Sequence, residues 1–211
     1  MTTLVFFTIA YLVVTIAIGL YAAKFVSNSK DYLVAGRGLP LYMNVATVFA
    51  TWFGAETVLS VSATFVKDGL GGIPADPFGA SFCLVFVALF FARAFYRMDL
   101  LTIGDFYKKR YGKGVEVLTS LAVTLSYLGW TAAQLTALGI VFNSLSQGAI
   151  SLDQGILIGA VIVLIYTTFG GMWSVALTDL FQSVVIVLGL LYVAFLVSGM
   201  AGGVGKVVAH A

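Results

Sequence analysis

Charge is what this sequence has least of. Asp, Glu, Lys and Arg make up only 9% of its 211 residues, against roughly a quarter in a soluble domain. Such a chain cannot coat a water-exposed surface. Its formal charge of +2 is thinly spread, with no basic stretch dense enough to engage nucleic acid. The single cysteine, Cys83, lies in an apolar run; it excludes an internal disulfide and is silent about redox compartment. The one histidine, His210, stands beside the last residue. No His/Cys/Asp/Glu grouping has metal-ligand spacing, and no nucleophile stands with a base. The stretch Gly202-Gly-Val-Gly-Lys206 lacks the Ser or Thr of a phosphate loop and follows an apolar helix rather than a strand. An enzyme is therefore not expected. What is plentiful is apolar: 61% hydrophobic residues and a mean hydropathy of +1.05 predict an all-α integral membrane protein.

A helix crosses the ~30 Å hydrocarbon layer in about 20 residues. Six stretches fit, approximately Leu4 to Ala23, Leu41 to Val66, Phe78 to Tyr96, Val115 to Phe142, Gln154 to Phe169 and Leu180 to Met200. No soluble domain fits between them, so residues 1–200 read as a single membrane domain embedded in a lipid bilayer, with a short tail at 201–211. The first stretch lacks a positive region before it, and Lys24 and Lys30 come after it, which favours a retained helix over a signal peptide. The connections at 24–40 and 97–114, together with Arg93 just before the second, carry nine of the eleven basic residues, leaving Lys67 and Lys206 for the other side. That bias predicts cytoplasmic basic loops and an amino terminus outside, in a multi-pass protein of the cell membrane.

The second stretch does not read as a plain helix. It contains Ala46-Thr-Val-Phe-Ala-Thr-Trp-Phe-Gly-Ala-Glu-Thr57. An ionisable side chain such as Glu56 at mid-membrane costs at least ~2.5 kcal/mol, so it should face protein or water. Gly54 weakens the helix and frees its backbone. A break at that depth is tolerated where freed carbonyls line a cavity, and there they can coordinate a small hard cation. The alternative reading makes Glu56 a hydrogen-bonded structural residue and Gly54 a packing contact; spacing alone does not decide between them.

Elsewhere the signals are weaker. Lys67-Asp-Gly-Leu-Gly-Gly-Ile-Pro-Ala-Asp-Pro77 reads as an outer turn carrying Asp68 and Asp76, with Pro77 starting the next helix. Tyr127, Trp130, Thr131 and Gln134 share one helical face, which suits a solute cavity or interhelical packing. Gly155 and Gly159 suit close helix contact. Gly170-Gly171 make a tight connection, after which Thr178 or Asp179 suits a helix start.

Four stretches together resemble the sodium:solute symporter family: Gly36-Arg-Gly-Leu39; Ala50-Thr-Trp-Phe-Gly-Ala-Glu56; Leu101-Thr-Ile-Gly-Asp-Phe-Tyr-Lys-Lys-Arg-Tyr-Gly112; and Tyr166-Thr-Thr-Phe-Gly-Gly-Met172 with Thr178, Asp179 and Gln182. The resemblance implies a leucine-transporter-type inverted-repeat fold, represented here by a leading helix (4–23) and the first five-helix repeat (41–200). It implies sodium bound partly by the backbone carbonyls of Ala50 and Phe53. It places Glu56 and Thr57 beside a small organic solute, an amino acid or similar; Gly54 and, on span four, Gln134 join them as solute-site candidates from the reading of the residues themselves. Thr57 stands where sugar carriers have glutamine, which argues against a sugar. Asp179 falls near the cytoplasmic route of the ion. The second repeat, which completes both sites, is expected in the complete protein. The function so implied is sodium-coupled import by alternating access. The rival readings are a solute sensor fused to a signalling domain and a non-functional half-size remnant.

Overall fold

The computed structural model describes residues 2–209, and His210 lies outside them. Among the described residues there is no strand. The chain opens with α1 (Thr2–Ala22), which carries no charged side chain. Helix α2 (Ser29–Val34) follows, its first turn capped by the Asn28 side-chain oxygen, which accepts from the Lys30 and Asp31 N–H groups at 2.9 and 3.0 Å. The segment Ser29–Arg37 then bends by 106° into α3 (Leu41–Trp52). Past a break, wide turns over Glu56–Val61 lead into α4 (Ser62–Asp68). A third apolar segment, Pro74–Arg97, contains α5 (Ala80–Phe86) and α6 (Arg93–Arg97). The short helix α7 (Ile103–Tyr111) precedes the long helices α8 (Lys113–Leu145) and α9 (Leu152–Met200), and α10 (Val204–Ala209) is the last described element.

Four of these segments are long and apolar enough to cross a membrane, five if the bent pair counts as one span. The six expected spans are not all unbroken helices. The second is interrupted: helix α3 has 12 residues, about 18 Å, too short for a crossing by itself. The expected fifth and sixth spans are the two limbs of α9, which turns at Gly171, where the backbone leaves the helical conformation (φ 50°, ψ −138°). Its second limb thus starts at Met172 rather than near Leu180. Asp179 lies two turns inside it and caps nothing, and the Thr178 hydroxyl donates back to the Ser174 carbonyl at 2.9 Å.

The core gathers round this fold point and is made of small residues. Ala22, Ala35, Ser174, Ala176 and Thr178 are nearly or fully inaccessible, and Thr178 and Ser174 are the largest fully buried side chains. Without a hydrophobic driving force between helices in lipid, small side chains let backbones approach and gain van der Waals contact. Polar ties then fix the approach. Ser174 Oγ donates to the Gly19 carbonyl (3.0 Å) and Tyr32 Oη to the Thr167 carbonyl (3.2 Å). Tyr11 stacks on Phe181 with ring centroids 5.7 Å apart.

At one end of the bundle the two basic connections meet. Asp99 receives Arg37 at 2.8 Å and Lys30 at 3.4 Å. Arg37 also donates to the Tyr96 and Leu100 carbonyls and lies over the Tyr96 ring. Lys109 Nζ donates to the Met98 carbonyl at 2.9 Å. Helix α7 starts there with a reciprocal cap between Thr102 and Asp105. The Thr102 N–H, above all, holds the Asp105 carboxyl below the ordinary carboxylate range.

Replacing Gly171 tests the fold point. A Cβ there would lie 2.5 Å from the Tyr32 carbonyl oxygen, on a backbone at φ 50°. Gly171→Ala is expected to lose at least about 1–3 kcal/mol from backbone strain alone, read as a lowered midpoint of thermal unfolding in detergent. Gly129→Ala, where nothing lies within 4 Å, should leave that midpoint unchanged or raise it. Equal behaviour of the two would reject Gly171 as the hinge of α9.

Candidate functional site

The break after α3 is where the sequence departs from helix. The backbone ladder runs to the Phe53 N–H, which donates to the Phe49 carbonyl at 2.7 Å, and resumes with Val58 N–H to the Gly54 carbonyl at 3.2 Å. Phe53 takes φ −87°, ψ 70°, the conformation of an inverse γ-turn. The last carbonyls of α3, that of Ala50 among them, have no further turn of helix to bond to. The Ala55 N–H is met from another helix: Gln134 of α8 accepts from it through Oε1 at 3.4 Å. Gly54 lies against the same amide, since a Cβ added there would sit 3.3 Å from Oε1.

Two clefts, each of ≈ 650 Å³, flank the break. One is lined by Thr51, Trp52, Glu56, Asp76, Tyr127 and Trp130. The other, almost wholly apolar, is lined by Phe53, Gly54, Ala55, Gln134 and Gln182 together with aliphatic residues of α8 and α9. The residues expected on one face of α8 are therefore divided by the break. Tyr127 and Trp130 look into the first cleft and Gln134 into the second. Of the expected solute residues, Glu56 lines the first cleft. Gly54 and Gln134 meet across the second, where Gln134 also supports backbone. Thr57 turns to Asp76: its hydroxyl lies 3.1 Å from the Trp52 carbonyl and 2.9 Å from Asp76 Oδ2.

Asp179 belongs to neither cleft. It stands beside Thr47 of α3, whose buried hydroxyl makes no hydrogen bond of ordinary geometry. Thr47 lies roughly 9 Å along the helix from Phe53. Ser183, one turn beyond Asp179, donates to the Ala46 carbonyl at 3.2 Å.

Sequence reasoning missed Asp76. The sequence places it on an outer turn, yet it lines the first cleft and its Oδ2 lies 2.9 Å from the Thr57 hydroxyl beside the break. Its signal was weak, an Asp-Pro pair at the head of an apolar run. Among the described residues no group of three or more His, Cys, Asp or Glu side chains is placed to hold a metal. Oxygen at this site is supplied by carbonyls, hydroxyls and two carboxylates.

The profile described as Sodium:solute symporter family matches residues 32–211. The chain belongs to the sodium:solute symporter family. Among its curated relatives, a high-affinity choline transporter 1 of Drosophila melanogaster is 30% identical over 190 residues, covering 89% of this chain and 30% of the relative. A sodium-coupled monocarboxylate transporter 2 of Danio rerio is 28% identical over 200 residues, 92% of this chain and 31% of the relative. A sodium/glucose cotransporter of Vibrio parahaemolyticus is 25% identical over 197 residues, 92% of this chain and 36% of the relative. The chain spans about a third of the length of these relatives. No solved structure matches it significantly. These relatives are transporters rather than enzymes, and the family's name gives sodium as the coupling ion.

The support that Gln134 gives the break is open to measurement. Gln134→Leu removes the acceptor for the Ala55 N–H and is expected to destabilise by about 1 kcal/mol. Amide exchange should rise locally at residues 53–57, whereas Gln134→Glu, which keeps an oxygen, should preserve protection. Unchanged exchange in the leucine variant would mean the amide supports nothing there.

Proposed function

We propose that these 211 residues form the leading helix and first repeat of a sodium-coupled symporter that imports a small organic solute by alternating access. The observation that carries this reading is the interrupted ladder between Phe53 and Val58, set between two clefts of solute size. A broken helix inside a membrane is stable only where its free groups line protein or water, and those groups are suited to ions and polar solutes.

The roles follow from chemistry. The carbonyls of Ala50 and Phe53 are hard oxygen donors for sodium. A hard cation takes about six oxygens, so the remainder comes from the second repeat in the complete protein. Glu56 faces the solute cleft, and Thr57 stands one residue further along the same turn. Gly54 keeps that turn free of a side chain, and Gln134 holds its backbone while lining the opposite cleft. Asp179, beside Thr47, lies on the path by which sodium leaves to the cytoplasm. The basic connections at 24–40 and 97–114 are the cytoplasmic face, with the amino terminus outside. Sodium bound outside favours the open cavity and so raises solute affinity; both are released when the bundle rocks inward.

Sodium-gradient-driven uptake into vesicles containing the full-length protein tests the assignment. Dissipating the gradient should abolish accumulation. Glu56→Ala should reduce uptake by at least tenfold, and Asp179→Asn should slow sodium release and lower the maximal rate more than the solute affinity. Accumulation that ignores the gradient, or wild-type kinetics in Glu56→Ala, would refute the proposal.

A further inference from the structure

Left-handed backbone is concentrated at one place in this molecule. Four non-glycine residues among those described have positive φ, and three of them stand where the two basic connections meet: Ala35 (φ 49°), Arg37 (φ 60°) and Asp99 (φ 49°). Gly36, between the first two, has φ 62°. Residues with a Cβ seldom occupy this region, because the Cβ crowds the following carbonyl. Such backbone persists only where surrounding contacts hold it, and switch regions are one place where it gathers. Here the strained residues hold one another, since Arg37 and Asp99 are the two halves of the 2.8 Å ion pair.

The turn that Asp99 occupies is gripped from three elements. Arg37 pairs with its carboxylate and donates to carbonyls on either side of it, Tyr96 at 3.0 Å and Leu100 at 3.4 Å. Lys30 of α2 reaches the same carboxylate, and Lys109 of α7 reaches the Met98 carbonyl. All these partners belong to this chain. The Asp99 side chain is nonetheless 67% exposed and that of Lys30 47%, so water and salt compete for the charges. An attraction that solvent weakens is thus set against backbone strain that favours release. What the contact holds in place is the 106° bend from Ser29–Arg37 into α3.

We propose that Arg37 and Asp99 form a releasable latch. Closed, it fastens the foot of α3 to the turn before α7. Open, it lets the backbone at both residues leave the left-handed region and frees the bend between α2 and α3 to change its angle. Lys30 and Lys109 steady the turn, while Arg37 alone joins it to the bend. The latch goes beyond the transport reading and requires neither the sodium nor the solute roles assigned above.

Hydrogen exchange of the purified full-length protein reads the latch directly. Raising potassium chloride from about 0.1 M to about 1 M shortens the Debye length from about 10 Å to about 3 Å. In the wild type this is expected to speed exchange about threefold at residues 35–39 and, in step, at 98–101, the size expected for an exposed ion pair. Asp99→Asn removes the charge but keeps a residue that tolerates left-handed backbone. It should speed exchange at 35–39, and Arg37→Gln should speed it at 98–101. Both should lose the salt response, and the double variant should add nothing further. Nitroxide labels at Tyr42 and Tyr111, with other cysteines removed, should give one distance in the wild type at low salt and a second one in Asp99→Asn. Exchange that rises in one segment alone, or in neither, would overturn the proposal, as would an unchanged label distance. Protection lost throughout the chain in both variants would also overturn it, making the pair a static tie. Where a variant does not fold, the salt response of the wild type decides.

Discussion

Backbone polar groups in hydrocarbon must find partners inside the protein, and this one constraint explains why the break after α3 looks as it does. Ending a helix at Phe53 frees carbonyls behind it and N–H groups ahead of it. In water these would be solvated without consequence. Here the Ala55 N–H turns to Gln134, the Trp52 carbonyl lies beside the Thr57 hydroxyl, and Gly54 brings no side chain that would keep the Gln134 amide at a distance. The partner amide must itself stand at the right depth. Helix α8 is held against α9 through glycine: a Cβ on Gly155 would lie 2.9 Å from the Gly139 carbonyl, and one on Gly159 would collide with Leu138. The small-residue contact and the break are thus parts of one arrangement.

The same logic distributes the remaining polar bonds. Apolar outer surfaces face lipid tails as apolar as themselves, so they give little preference for one helix arrangement over another. Specificity comes from the close-packed glycines and from ties such as Ser174 to Gly19 and Ser183 to Ala46. At the bundle end, Arg37 joins two connections by a carboxylate, two carbonyls and a ring face. An exposed ion pair contributes little alone. The Arg37 side chain is only 20% exposed, and its planar fork is suited to several acceptors at once.

What the sequence made legible was local. Gly54 and Glu56 amid threonines signalled an interruption, and the structure has one within a residue of Gly54. Gly155 and Gly159 signalled close contact, and Gly170-Gly171 a sharp connection; each is present. The misreadings have a common source, because they depend on partners distant in the chain. Asp179 resembles a cap when only its neighbours are considered, yet the packing of Gly171 on Tyr32 sets the start of that helix eight residues earlier. The α8 stripe looks continuous by periodicity, but the break of α3 wedges between Trp130 and Gln134. Asp76 is drawn in by Thr57, a pairing that no periodicity contains.

These placements give α3 a mechanical meaning. Its buried Thr47 stands beside Asp179, while its last turn supplies Thr51 and Trp52 to one cleft and leads through Phe53 into the other. A 12-residue helix is stiff over that distance, so its ends cannot move independently. Coupling between two ligands requires an element whose position each of them biases, and the effect is then reciprocal. Under the function proposed, an ion passing Asp179 and a solute held at Trp52 and Glu56 would bias the same rigid rod. The break supplies the complementary discontinuity: the ladder stops at Phe53, so α4 and the outer turn do not continue α3 as one rod. A rigid helix on one side of residue 53 and an interrupted ladder on the other is the arrangement by which the proposed ion would change the shape of the proposed solute cleft.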